Sequence, residues 1–208
     1  SISRVKKPRF LRFILFQFHI NMFPSNFSSM HMYHNCLEEN ESAEFPKTYL
    51  VVSDLEQKNA LSFLKKNNVE GRFIAIVPGA AWAQKQWGVA KYSKAITKIT
   101  ARSNESIVLL GGEKDKINNE IEKINNKVVN LTGKTNLRQA MSILSLSDTV
   151  LGSDTGLVHI AEALGISVNM ILGPTSKETG GGVSFHSSKN IETDLWCRPC
   201  SQNGKNTC

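Results

Sequence analysis

The chain has 208 residues with 25 Lys and Arg against 18 Asp and Glu, a net charge of +7 and a pI near 9.3. That length holds one large or two small domains with a proper core, and 40% hydrophobic with 21% charged residues excludes disordered and fibrous classes. No segment offers roughly 20 uninterrupted apolar residues, so no transmembrane helix is read, and the basic balance suits nucleic acid, an acidic membrane surface or a phosphorylated substrate.

The first residues, KKPRFLRFILFQF, place basic side chains before an apolar run as a signal peptide does. Arg12 and Gln17 interrupt that run and no small-residue cleavage site follows. Residues 1–45 are aromatic-rich, then turn-like, then polar up to Pro46. They read as the tail of something larger, followed by a connector. Asp54–Asn68 reads as a helix with Ser53 or Asp54 as its N-cap.

From Arg72 onward five strand-like runs alternate with four helical ones: FIAIVPG, AKYSKAITKITAR, SIVLLGG, DKINNEIEKINN, VVNLTG, NLRQAMSILSLS, DTVLGSD, GLVHIAEALG and SVNMILGP. Short aliphatic strands alternating with helices predict an α/β fold, a parallel sheet of five or six strands with helices on both faces. Ligands on such sheets bind at the carboxyl ends of the strands. Neither G-x-G-x-x-G nor G-x-x-x-x-G-K-[ST] occurs, so the dinucleotide fingerprint and the Walker A loop are absent.

The loops after the strands carry the candidate chemistry. PGAAWAQKQW has small residues that let a backbone approach a ligand, then Lys85, a point charge for phosphate or a surface lysine beside a packing tryptophan. Glu113 follows Gly111-Gly112, where an acid commonly accepts from ribose hydroxyls; alternatively Glu113 or Asp115 is a helix-start carboxylate. GSDTG sets Ser153, Asp154 and Thr155 between two glycines. One such residue is enough for a cap, and three in a row suit a diphosphate or sugar hydroxyls better. In the following helix Leu157, Ile160, Ala161 and Leu164 form one apolar stripe. At about 100° per residue His159 points away from that stripe, either idle in solvent or aimed above the helix N-terminus. GPTSKETGGG either closes over a ligand or connects.

Four cysteines are present, Cys36, Cys197, Cys200 and Cys208, with three in the last twelve residues. This is not the even spread of a secreted disulfide scaffold and points to a reducing compartment. A zinc site usually needs four ligands, the fourth here being a residue beyond Cys208 or a histidine such as His186; with three cysteines in view a structural thiol cluster stands ahead of a metal site, and a redox pair is a further reading.

Taken in order, PGAAWAQKQWGVAKY, LLGGEKD, NLTGKTNLRQAMSILSLSDTVLGSDTGLVHIAEALG, ILGPTS and CRPC resemble the C-terminal half of glycosyltransferase family 9, the ADP-heptose:lipopolysaccharide heptosyltransferases. The resemblance runs from Arg72 to Cys208. MHMYHNCLEENESAEFPK also looks like the stretch before that family's domain linker. The resemblance implies a GT-B architecture, with 1–45 a remnant of the N-terminal acceptor domain, 46–70 a linker and helix, and 71–208 a Rossmann-like nucleotide-sugar domain.

It further implies that Lys85 contacts phosphate and sugar, Glu113 the ribose, and Thr135 the adenine pocket. Asp154, Thr155, Gly156 and Leu157 would hold diphosphate and heptose, with His159 beneath them. The implied partners are ADP-heptose and a lipopolysaccharide core acceptor, for a cytoplasmic protein working at the inner-membrane surface, with no metal, cofactor or nucleic acid. The family's glycine-rich loop and catalytic aspartate near the start of its N-terminal domain find no match here, so no catalytic residue is assigned and a truncated chain is expected. The expected activity is inverting heptosyl transfer. A non-catalytic nucleotide-binding module is the second reading. A nucleic-acid binder ranks last, because the lysines are spread through helices rather than clustered with aromatics.

Overall fold

The computed structural model describes residues 5, 7–24, 27, 32–33 and 48–201. The expectations for most of 1–45, for Cys36 and for Cys208 lie outside the described residues.

The first described element is a helix, α1 (Arg9–Phe18), inside the run that only its aromatic content had marked out. It buries Leu15 while Phe10 and Phe13 stay exposed. Helix α2 (Asp54–Lys66) begins at Ser53, which accepts from the Glu56 amide while the Glu56 carboxylate accepts from the Ser53 amide. Two orphan backbone donors are thus satisfied reciprocally, which settles the N-cap on Ser53. Arg138 binds the same Glu56 carboxylate and the Val51 carbonyl, tying the start of α2 to a helix 82 residues further on.

The rest alternates as the sequence predicts: β1 (Phe73–Val77), α3 (Val89–Thr100), β2 (Ser106–Leu109), α4 (Lys116–Ile124), β3 (Val128–Asn130), α5 (Leu137–Leu144), β4 (Thr149–Ser153), α6 (Gly156–Ala163), β5 (Val168–Ile171) and β6 (Lys189–Ile191). All pairings are parallel, and the order across the sheet is β3-β2-β1-β4-β5-β6. Six strands is the upper of the two expected counts. The sixth is a short edge strand with Lys189 and Ile191 exposed, so neither an apolar run nor an alternation marks it in the sequence.

Both faces of the sheet are covered, which is why the strands read as continuous apolar runs. Phe73, Ala75 and Val77 of β1 pack with Ala60 and Leu64 of α2, Ile143 and Leu144 of α5, and Val158 and Ala161 of α6. Ile74 and Ile76 face the other way, onto Tyr92 and Ile96 of α3 and Ile117 and Ile121 of α4. The α6 stripe packs on the core as expected, with Ala161 buried and Leu157, Ile160 and Leu164 partly buried against it. The buried face is wider than the stripe, since Val158, Glu162 and Ala163 are buried as well.

Strand order reverses between β1 and β4, whose chains leave the sheet in opposite directions and open a crevice at their carboxyl ends. The sheet can close there because Gly152 has no side chain. A Cβ at Gly152 would lie 2.5 Å from Val158 Cγ2 and 2.9 Å from the Val77 carbonyl oxygen. Gly152→Ala is therefore expected to cost about 1–3 kcal/mol by overpacking, read as a lower urea midpoint with an unchanged slope.

Candidate functional site

The crevice is lined by loops at the carboxyl ends of the strands. The β1 loop runs through Pro78 and Gly79 into a 3₁₀ turn, Ala83–Lys85. This turn puts Lys85 over the end of β4. Its Nζ lies 2.7 Å from Asp154 Oδ2, and the two side chains are only 15% and 11% exposed. From the loop after β5, the Thr175 hydroxyl donates to the same Oδ2 at 2.8 Å. His159 Nε2 stands 3.5 Å from Asp154 Oδ1. That contact is long for a hydrogen bond, so Lys85 and Thr175 supply the tighter restraint.

Burial opposes ionisation of Asp154, but His159, Lys85 and Thr175, together with the Lys85 charge, more than offset it and hold the carboxyl far below the usual carboxylate range. The aspartate is an anion at any physiological pH.

Two buried hydroxyls brace the crevice from below. Ser153 donates to the Pro78 carbonyl at 3.0 Å, so the 2.9 Å contact with Tyr92 is donated by the Tyr92 hydroxyl. Tyr92 and Ser153 are fully buried. Burial pushes the Tyr92 phenol well above its usual value, so it stays a donor. The bonds join the ends of β1 and β4 directly beneath the Lys85–Asp154 pair.

The capping alternative for GSDTG is overturned. Thr155 is the N-cap of α6, and among the described residues no side chain caps that helix. Asp154 is turned to Lys85 and Thr175 instead. The first turn of α6 therefore keeps N–H groups without a side-chain acceptor, a place for an anion. Gly156 opens that turn, and a Cβ there would meet nothing within 4 Å. Neither the protein's own packing nor a positive φ requires a glycine at this position.

The structure thus brings Lys85, Asp154 and His159 together, with Thr155, Gly156 and Leu157 at the helix start beside them. Glu113 and Thr135 sit on the neighbouring β2 and β3 loops. Glu113 is exposed and lies against Gly133, where a Cβ would come within 3.0 Å of Glu113 Cγ. No direct contact joins Glu113 or Thr135 to Asp154 among the described residues. Asp115 accepts from the Gly112 amide at 2.8 Å, and its carboxylate lies against Gly79 at the end of β1.

Sequence reasoning missed Thr175 and Tyr92 as parts of the site, and placed Ser153 in the GSDTG cluster without its role as a buried brace. Thr175 had a usable signal, a hydroxyl two residues past a strand-end glycine; Tyr92 is one aromatic among the apolar residues of an amphipathic helix. Cys197 and Cys200 are not joined in a disulfide. No group of three or more His, Cys, Asp or Glu able to hold a metal is present among the described residues. No helix among them is long and apolar enough to cross a membrane.

Comparison of the chain with known proteins finds a family. The family model described as glycosyltransferase family 9 (heptosyltransferase) matches residues 17–207. The chain is 31% identical over 142 residues to lipooligosaccharide heptosyltransferase 2 of Haemophilus influenzae, covering 64% of this chain and 41% of that protein. It is 30% identical over 116 residues to lipopolysaccharide heptosyltransferase 2 of Escherichia coli K12, covering 52% of this chain and 33% of that one. The chain therefore spans well under half the length of these curated relatives.

Among solved structures, E. coli ADP-heptose lipopolysaccharide heptosyltransferase II superposes with a TM-score of 0.67 at 21% identity, over 79% of this chain and 53% of that one. A glycosyl transferase of family 9 from Veillonella parvula superposes with 0.69 at 17% identity, over 83% and 51%. At these identities the structural likeness is one of fold.

The depressed Asp154 pKa has a stability consequence. A carboxylate ionised more easily in the folded state stabilises that state above the unfolded pKa, about 3.9, and loses the contribution as the pH falls toward the lower folded value. The stability gap between wild type and Asp154→Asn is expected to be constant from pH 7 to about pH 4 and to narrow below it. Urea unfolding across that range measures the gap; one that widens with acid contradicts the assignment.

Proposed function

The chain belongs to glycosyltransferase family 9, the heptosyltransferases, and on that premise we propose that residues 71–208 form the donor domain of an enzyme that moves heptose from ADP-heptose to a lipopolysaccharide core acceptor. The observation that carries the proposal is the uncapped α6 N-terminus beside a fixed Lys85–Asp154 pair at the switch point of a parallel sheet. Such a crevice is where α/β domains take nucleotides, and a helix N-terminus with an adjacent lysine is a seat for a diphosphate.

In this reading the lysine ammonium has three donors and spends one on Asp154, leaving two for phosphate oxygens. Thr155, Gly156 and Leu157 bring the first turn of α6 to the same diphosphate. Asp154 accepts from the heptose hydroxyls, since a bare carboxylate facing a diphosphate is repelled. His159, 44% exposed, borders the sugar from below. Glu113 accepts from the ribose hydroxyls, and Thr135 lines the adenine pocket.

The acceptor oxygen attacks the anomeric carbon as its hydroxyl proton passes to a base, for which the resemblance offers the catalytic aspartate of the family's N-terminal domain; the bond to the diphosphate oxygen breaks with inversion, and ADP leaves. The work of these residues is to position the donor and to stabilise charge growing on the leaving diphosphate. The acceptor is lipid-linked, so we place this work at the cytoplasmic face of the inner membrane, where a net charge of +7 favours an anionic surface.

Two variants separate the roles in calorimetric titrations with ADP and with ADP-heptose. Lys85→Ala is expected to weaken both ligands about ten-fold or more, because its partner is charge. Asp154→Asn is expected to weaken ADP-heptose more than ADP. Equal ADP-heptose affinity in Asp154→Asn and wild type rejects the sugar seat.

Gly156 gives an independent test. Alanine is the better helix former by up to about 1 kcal/mol, and nothing in the protein obstructs its methyl group. Gly156→Ala is expected to unfold at the same temperature or higher yet bind ADP more weakly. Unchanged ADP affinity with unchanged stability removes the diphosphate from that helix.

A further inference from the structure

The Cys-Arg-Pro-Cys segment near the carboxyl end takes no part in the donor contacts described above, yet the arginine between its cysteines is one of the most engaged side chains in the protein. Arg198 is 13% exposed. Its Nε donates to the Gly173 carbonyl at 2.6 Å, Nη1 to Thr193 O at 2.9 Å, and Nη2 to Thr175 O at 3.1 Å and to Glu192 Oε2 at 3.0 Å. The backbone amides of Cys200 and Ser201 both donate to the Pro174 carbonyl at 3.2 Å. Residues 193–201 therefore close over Gly173-Pro174-Thr175 and bind every carbonyl of that tripeptide. Glu192 is held in turn by Lys177 at 3.0 Å.

The clasped tripeptide is the loop whose Thr175 hydroxyl reaches Asp154 Oδ2. On its other side Gly173 packs against the β1 loop, where a Cβ would lie 2.8 Å from the Gln84 carbonyl oxygen, next to Lys85. The loop is thus fixed between a guanidinium behind and the ion pair in front. A planar guanidinium with five donors in a rigid fork can hold several carbonyls at once, which a lysine ammonium on a flexible stem does not reproduce.

We propose that Arg198 is a positioning residue for the donor site, clasping Gly173–Thr175 so that the Thr175 hydroxyl fixes the rotamer of Asp154. Thr175 is the contact and Arg198 acts through it. This rests on the donor-site reading above, and it assigns the arginine of the Cys-x-x-Cys segment to sugar recognition rather than to thiol chemistry.

The test uses the whole 208-residue chain and the variants Arg198→Lys, Thr175→Val and their combination. Two readouts are taken: Kd for ADP and for ADP-heptose by calorimetry, and the amide chemical shifts of Asp154 and Thr175 without ligand. We expect Arg198→Lys and Thr175→Val each to weaken ADP-heptose about five- to ten-fold while ADP stays within about two-fold. The double variant should be no weaker than Thr175→Val alone by more than about two-fold, because both act through one hydroxyl. The Asp154 amide should shift in both single variants.

Unchanged ADP-heptose affinity in Arg198→Lys overturns the proposal. So do effects that multiply in the double variant, an equal loss for ADP and ADP-heptose, or failure of Arg198→Lys to fold, which makes the arginine a general stabiliser. If wild type binds neither ligand, the donor-site reading itself fails. The clasp is then judged by the shifts alone: an Asp154 amide moved by Arg198→Lys sustains it, and an unmoved one overturns it.

Discussion

Asp154 is held from three directions, two of them by parts of the chain far away in sequence. Lys85 comes from the loop after β1, Thr175 from the loop after β5, and His159 from the first turn of α6. A largely buried carboxylate persists as an anion only with such partners, because desolvation otherwise drives it to take up a proton. Removing any one partner leaves the others with an incompletely compensated charge. The geometry of the crevice therefore depends on the β1 loop, the β5 loop and the start of α6 keeping their places. Much of the remaining structure serves that: the Tyr92–Ser153–Pro78 bonds beneath, the absence of a side chain at Gly152, and the arginine behind the β5 loop.

The same arrangement changes what the helix after β4 can do. Ser, Asp and Thr ahead of a helix are ordinarily read as a cap. Here the carboxylate is recruited away and Thr155 leaves the helix uncapped. The partial positive charge of the first turn is consequently not neutralised by the adjacent acid, whose own charge is taken up by Lys85 and Thr175. An acid one residue from the proposed phosphate seat is tolerable for that reason.

The alternation of strands and helices was legible because both faces of the sheet are covered, so each internal strand is a continuous apolar run with a glycine, proline or polar residue at its end. Lys85, Asp154 and His159 stood out as charged or polar side chains at strand ends or off the apolar stripe of a helix. What could not be read is which strand ends are neighbours. Tyr92 bonds a residue 61 positions away, Ser153 one 75 away and Thr175 one 21 away, and each contact exists only because β4 sits between β1 and β5. Local pattern specifies elements, but strand order is a property of the assembled sheet. The apolar stripe of α6 was legible from its period, but the burial of Glu162 was not, because its carboxylate accepts from the Ser184 and Phe185 amides, more than twenty residues away.

The close approach of Gly173 to the Gln84 carbonyl makes the β1 and β5 loops a single mechanical unit. Neither can swing outward without carrying the other and the β4 turn bonded between them. Order fixed in this way during folding is order that a ligand does not have to impose. Two of the crevice walls are thus braced against each other by the protein's own packing, before anything enters it.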